Sequence, residues 1–97
     1  MPLFIVTSSW TEQGIKAVKD SPKRIDAARA LCQKLGAEMK QIYLTSGDSD
    51  LLAIIEAPNG EAMAKIAMLL GMQGNLRTRT VRAWSEQEFA RLVSELP

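Results

Sequence analysis

Ninety-seven residues, 46% apolar and 24% charged, make one small soluble domain and exclude a disordered, fibrous or two-domain chain. Twelve Lys and Arg against eleven Asp and Glu leave a net charge of +1, which provides no electrostatic footprint for nucleic acid or an anionic membrane. One Cys and no His exclude an internal disulfide, imidazole and thiolate metal sites, and every Ser-His or Cys-His nucleophile.

Met1-Pro2 runs straight into an apolar segment, Leu3-Phe4-Ile5-Val6, too short for a signal core or a membrane span. No targeting segment is expected, and the lone Cys makes a reducing cytoplasm the default compartment. Leu3 to about Ser9 reads as a strand, closed by Thr11-Glu12-Gln13-Gly14, with a helical turn expected over Ile15–Lys19. Ser21 as N-cap and Pro22 at the first helical position open a helix. Its stripe is Ile25, Ala28, Leu31, Cys32 and Leu35, and Gly36 is its left-handed stop. On that stripe Cys32 reads as an inert core thiol.

Glu38 to Thr45 alternates as a half-exposed strand, Ser46-Gly47-Asp48-Ser49 is turn chemistry, and Leu51 to Ile55 is the second arm of an antiparallel hairpin. Ala57-Pro58-Asn59 ends that strand and caps a helix running to about Leu70, with Gly71 as its stop. This helix is apolar nearly all round, which predicts burial all round. Leu76 to Ala83 is the last strand. Ser85 and Glu88 form a capping box, and Phe89, Leu92, Val93 and Leu96 give a short amphipathic final helix.

The order β-α-β-β-α-β plus one helix predicts a single α+β domain over residues 1–97. It is a ferredoxin-like four-stranded antiparallel sheet with both main helices on one face. The first and third strands, central in this topology, are apolar on both faces, as in strands buried on two sides. The expected cover is the sheet of a second copy, giving a homodimer, or a higher oligomer, of the dimeric α+β barrel kind. The competing expectation is a monomer whose last helix folds over the open face.

Five segments follow one another: Thr11-x-Gln13-Gly14-Ile15, Asp20-Ser21-Pro22-x-Arg24, Gly47-x-x-Asp50, Glu56-Ala57-Pro58, and Gly74-Asn75-x-Arg77-Thr78-x-Thr80-x-Arg82-Ala83-Trp84. By these the chain resembles the GYD domain family of small bacterial proteins over nearly its whole length. In the motif that names the family, Ser49 stands where a Tyr is usual. The resemblance implies a ferredoxin-like domain of the dimeric barrel kind, with no assigned biochemical function.

Six residues are candidates for binding. Asp50, with Asp48 beside it in the hairpin turn, reads as a hard-cation or amine corner or, more plainly, as an Asx turn. Arg77 and Arg79 share a strand face with Val81. They read as a clamp for a small carboxylate or phosphate, or more plainly as edge-strand charges that prevent sheet-to-sheet aggregation or as ion pairs with Glu38 or Glu56. Trp10 and Trp84 end the first and last strands in similar positions, as pocket walls or rim anchors. Tyr43, expected to face with Met39 and Gln41, is a hydrogen-bonder or a structural tyrosine. No metal, cofactor or catalytic residue is expected. A homo-oligomeric small-ligand-binding or scaffold domain is the favoured function, its ligand anionic or aromatic. The alternative is a cofactor-independent enzyme, monooxygenase- or isomerase-like, using Tyr43, Arg77, Arg79 and Asp50.

Overall fold

The computed structural model describes residues 1–97. Strand β1 (Leu3–Trp10) leads into a one-turn helix α1 (Glu12–Lys16), a 3-10 turn over Val18–Asp20, and helix α2 (Ser21–Lys34). Strands β2 (Glu38–Leu44) and β3 (Leu51–Glu56) form a hairpin, followed by helix α3 (Gly60–Met72), strand β4 (Leu76–Ala83) and helix α4 (Glu86–Ser94). The sheet order is β2-β3-β1-β4, antiparallel throughout, which is the ferredoxin-like fold.

Local chemistry accounts for most boundaries. Asn59 caps α3 by accepting the Ala62 N–H, and Gly36 leaves α2 at φ 76°. Ser85 and Glu88 close the capping box of α4 in both directions. The Glu88 carboxyl, receiving the Ser85 N–H, is held below the ordinary glutamate range.

Three boundaries differ from expectation. The helical turn sits earlier, at Glu12–Lys16, because the Thr11 hydroxyl accepts the Gly14 N–H and nucleates it there. The N-cap of α2 is Asp20, since the 3-10 turn delivers Ser21 already in helical conformation and Pro22 stands one position further in. Gly71 lies inside α3, and the left-handed glycine is Gly74, at φ 79°.

The core lies between the sheet and the two main helices. Phe4, Val6, Met39, Ala53 and Ile55 of the sheet meet Cys32 of α2 and Met63, Ile66 and Leu70 of α3. Burial pushes the Cys32 thiol up from its ordinary value, so it stays a neutral apolar side chain. Helix α3 is buried on this face only: Met68 and Met72 on its outer side are exposed, contrary to the expectation from its composition. Helix α4 stands away from the domain with none of its residues buried, so it does not fold over the open sheet face. Phe89, Leu92, Val93 and the neighbouring Leu96 are 42 to 69% exposed.

Candidate functional site

The register separates the two sheet faces residue by residue. Toward the helices point Phe4, Val6 and Ser8 of β1, Leu51, Ala53 and Ile55 of β3, and Thr78, Thr80 and Arg82 of β4. Toward the open side point Leu3, Ile5 and Thr7, then Leu52, Ile54 and Glu56, with Arg77, Arg79 and Val81. The central strands are therefore apolar on both faces, as their composition predicts. On β2 a bulge between Met39 and Gln41 resets the alternation. Met39 is buried on the helix side while Tyr43, paired with Leu52, lies on the open side. The expected sharing of a face by Tyr43 and Met39 is thus corrected by a device invisible to periodicity.

On the open face, Tyr43, Leu52, Thr7 and Arg79 lie in one row across the sheet. Tyr43 and Arg79 are three strand spacings apart along that row, about 14 Å between their backbones. Glu38 and Glu56 occupy one corner of the face, and Arg77 and Arg79 the diagonally opposite corner. The expected pairing of these arginines with Glu38 or Glu56 is absent within the chain. Glu38 contacts Lys40 at 3.7 Å, and neither arginine has an ion-pair partner.

The two tryptophans lie at opposite ends of the sheet, correcting the expectation of similar positions. Antiparallel pairing sets Trp10 against Leu76 and Leu3 against Ala83, so Trp84 leaves from the other end. There the Arg82 guanidinium stacks 4.5 Å from the Trp84 ring and 5.7 Å from Phe4, and donates to the Leu3 and Ala83 carbonyls. Trp84, half exposed, thus meets Arg82 at the strand end. Asp50 accepts the Trp10 N–H at 3.0 Å, fastening the β2–β3 turn to the end of β1. The turn has the glycine geometry of the plainer reading, with Gly47 at φ 145°. No cluster of three or more acidic, His or Cys side chains exists to hold a metal.

Trp10 instead borders a cleft between the sheet and the first half of α2. This open space of about 670 Å³ includes a part continuous with solvent. It exists because the side chains facing each other are small: Ala28 on the helix, Ala53 and Ser8 on the sheet. Ile25, Met39, Ile42 and Leu51 form its apolar wall, while Arg24, Ser21, Thr78 and Asn75 supply polar groups. In the sequence Arg24 stands out only as part of a motif, and its spacing from Pro22 carries no sign of what it touches.

The same corner is tied by a network that joins segments sixty residues apart. The Thr11 hydroxyl donates to the Gly74 carbonyl, and the Thr11 N–H to Asn75 O. The Gln13 amide donates to Gln73 O and Asn75 Oδ1. Gly14 is obligatory here, since a Cβ on it would fall 2.0 Å from Asn75 O. Arg24 Nη2 donates to the carbonyls of Gly14 and Ala17 and to Ser21 Oγ, at 3.1 to 3.3 Å.

Residues 4–93 match the GYD domain family. The chain belongs to that family. Among curated proteins it is similar to one from Thermus thermophilus named glutamine synthetase and cystathionine beta-lyase binding protein. The two are 29% identical over 84 residues, 86% of this chain and 88% of the relative. Among solved structures it resembles TTHA0845 from Thermus thermophilus, with TM-score 0.55 and 20% identity over 88% of this chain and 95% of that one. It also resembles the leucine response regulatory protein of Mycobacterium tuberculosis, with TM-score 0.57 and 15% identity over 87% of this chain and 51% of that one. At these identities the structural likeness shows the fold alone. No helix of this GYD domain is long and apolar enough to cross a membrane.

Proposed function

We propose that the protein is a homodimeric, non-catalytic docking module, two copies meeting through the open faces of their sheets, and that the dimer binds another protein. The observation that carries the dimer is area. A folded monomer of 10.7 kDa exposes about 5,500 Å², whereas this chain exposes 6639 Å². The surplus exceeds the roughly 800 Å² per partner of a standard interface. Apolar side chains are part of it: Val81 of the open face and the stripe of α4 are exposed, and Leu3, Ile5, Leu52 and Ile54 of the open face are half-buried.

Charge placement supports self-association. A two-fold axis lying in the plane of the face, perpendicular to the diagonal that joins its charged corners, sets Glu56 of one copy against the arginine corner of the other. A face with acid and base at opposite corners is complementary to itself. The α4 stripe, uncovered by its own domain, then packs on the second copy. The non-catalytic branch is supported by the dispersal of Tyr43, Arg77, Arg79 and Asp50, which share no enclosed pocket. The Thermus relative's name supports a metabolic enzyme as the partner, in a cytoplasm where Cys32 stays reduced.

Sedimentation equilibrium and a binding titration test this reading. The wild type should sediment as a dimer at micromolar concentration, and Ile54→Arg as a folded monomer. Purified glutamine synthetase and cystathionine beta-lyase, titrated separately, should include at least one that binds the wild type and binds Ile54→Arg less well. A monomeric wild type removes the dimer, and absence of binding by both enzymes removes that partner class.

A further inference from the structure

We propose that the cleft beside α2 binds a small monocarboxylate with an apolar tail, such as a short-chain fatty acid or a single-ring aromatic acid, with Arg24 receiving the carboxylate. The proposal develops the ligand-binding side of the chain's chemistry and does not need the dimer, because every residue of the site comes from one protomer.

Three observations converge on this ligand class. The first is shape. Small side chains at Ala28, Ala53 and Ser8 leave a gap beneath α2 that larger ones would fill, and the gap opens to solvent. Farther along, Cys32, Met63 and Ile66 close the same layer, at 0 to 2% exposed. The gap is therefore local to the first half of the helix.

The second is charge. Arg24 is half-buried, lines the cleft, and lies within 4 Å of no carboxylate. Its hydrogen bonds to protein all leave from Nη2 and end on uncharged oxygens. The Nε and Nη1 donors form no bond within the chain. A partly desolvated guanidinium with neutral acceptors on one nitrogen and free donors on the others is prepared for a two-point contact with a carboxylate. The bonds to the Gly14 and Ala17 carbonyls fix the side chain in advance, which lowers the ordering cost of binding.

The third is the division of the lining. Ile25, Met39, Ile42 and Leu51 present a continuous apolar wall, while Ser21, Thr78 and Asn75 provide neutral hydrogen-bonding groups. Neither an acidic nor a second basic side chain borders the space. That excludes a complement for a cationic or multiply charged ligand and leaves one negative charge with an apolar remainder.

The probes are octanoate and benzoate, with octanol supplying the tail without charge and acetate the charge without tail. Binding is read from the indole N–H resonance of Trp10, which borders the cleft, with that of Trp84 at the far end of the sheet as internal control. Octanoate or benzoate should shift Trp10 and leave Trp84 in place, and should raise the melting temperature as a native-state ligand must. Octanol should bind about ten- to a hundredfold more weakly, the range expected for losing charge-assisted bonds in a desolvated site, and acetate should also bind more weakly, because it buries no apolar tail. Arg24→Gln should lose the same factor for octanoate while its octanol affinity stays within about twofold. Because Arg24 also holds the α1 corner, Ala28→Phe serves as the second variant. It fills the cleft while keeping the Arg24 guanidinium in the chain, and should abolish octanoate binding in a protein that stays folded. A Trp10 resonance unmoved by both acids, undiminished binding to Ala28→Phe, or octanol binding as tight as octanoate overturns the proposal. Repeating the titration on Ile54→Arg separates this result from the dimer's, since the cleft is intact there.

Discussion

Ile54 and Ile55 are neighbours in one strand, identical in chemistry and opposite in circumstance. Ile55 is 1% exposed beneath the helices, where it meets the core side chains, whereas Ile54 lies half-buried on a face that nothing in its own chain covers. The difference teaches that apolar patterning specifies where water is excluded and says nothing about whose side chains exclude it. On the helix face the cover is local in the fold, two crossovers returning across the sheet. On the open face the same pattern requires an external surface.

Substitution at these two neighbours gives the sharpest test. Ile55→Ala should cost about 2–5 kcal/mol in chemical denaturation, since the cavity opens inside the closed layer. Ile54→Ala should change the stability of the dissociated protomer much less and appear as a dilution-dependent shift of the dimer equilibrium. Equal and concentration-independent losses at both positions would erase the distinction between the faces.

Gly14→Ala probes the corner that anchors the open half of the helix layer. The new methyl would meet the Asn75 carbonyl, so denaturant melts should show a loss near the upper end of about 1–3 kcal/mol. Amide exchange should rise first in Thr11–Ala17 and at Asn75. Loss spread evenly over the domain would show that the corner has no separate role.

Arg79→Ala reaches the charged corner of the open face. Its effect on the protomer should stay within about 0.5 kcal/mol, because the side chain is exposed and unpaired within the chain. The dimer should dissociate at higher concentration than wild type, and the gap should narrow as salt screens the corner-to-corner attraction. A dissociation constant unchanged at low salt would remove the arginine corner from the interface.

The smallest expected effect is acidic fraying of α4. The Glu88 carboxyl is held below its ordinary value by the Ser85 N–H, so its contribution is complete above the unfolded value of about 4.3. It is lost as the pH falls through the lowered folded value. Circular dichroism should record the loss of one short helix in acid, and Glu88→Gln should flatten that step while leaving the sheet signal alone.

Reading the sequence captured whatever short-range chemistry controls. Gly36 and Asn59 ended and began helices where expected, the Ser85–Glu88 box opened α4, and the doubly apolar runs of β1 and β3 marked the central strands. Each is set by groups within a few residues of one another, which is the range over which caps, turns and periodicity act. The ferredoxin-like order followed, because short connections and handed crossovers leave few arrangements for β-α-β-β-α-β.

Tertiary structure decided the rest, because the deciding contacts join residues far apart in the chain. The bulge beside Lys40 turned Met39 and Tyr43 to opposite faces, and antiparallel pairing sent Trp10 and Trp84 to opposite ends of the sheet. The composition of α3 predicted burial all round, yet no element of the chain comes to cover Met68 and Met72. Arg24 became a candidate binding residue only when Gly14, Ala17 and the small side chains beneath α2 were brought around it. A guanidinium's role depends on which oxygens reach it and how much water is removed, and both are fixed by packing across the whole domain.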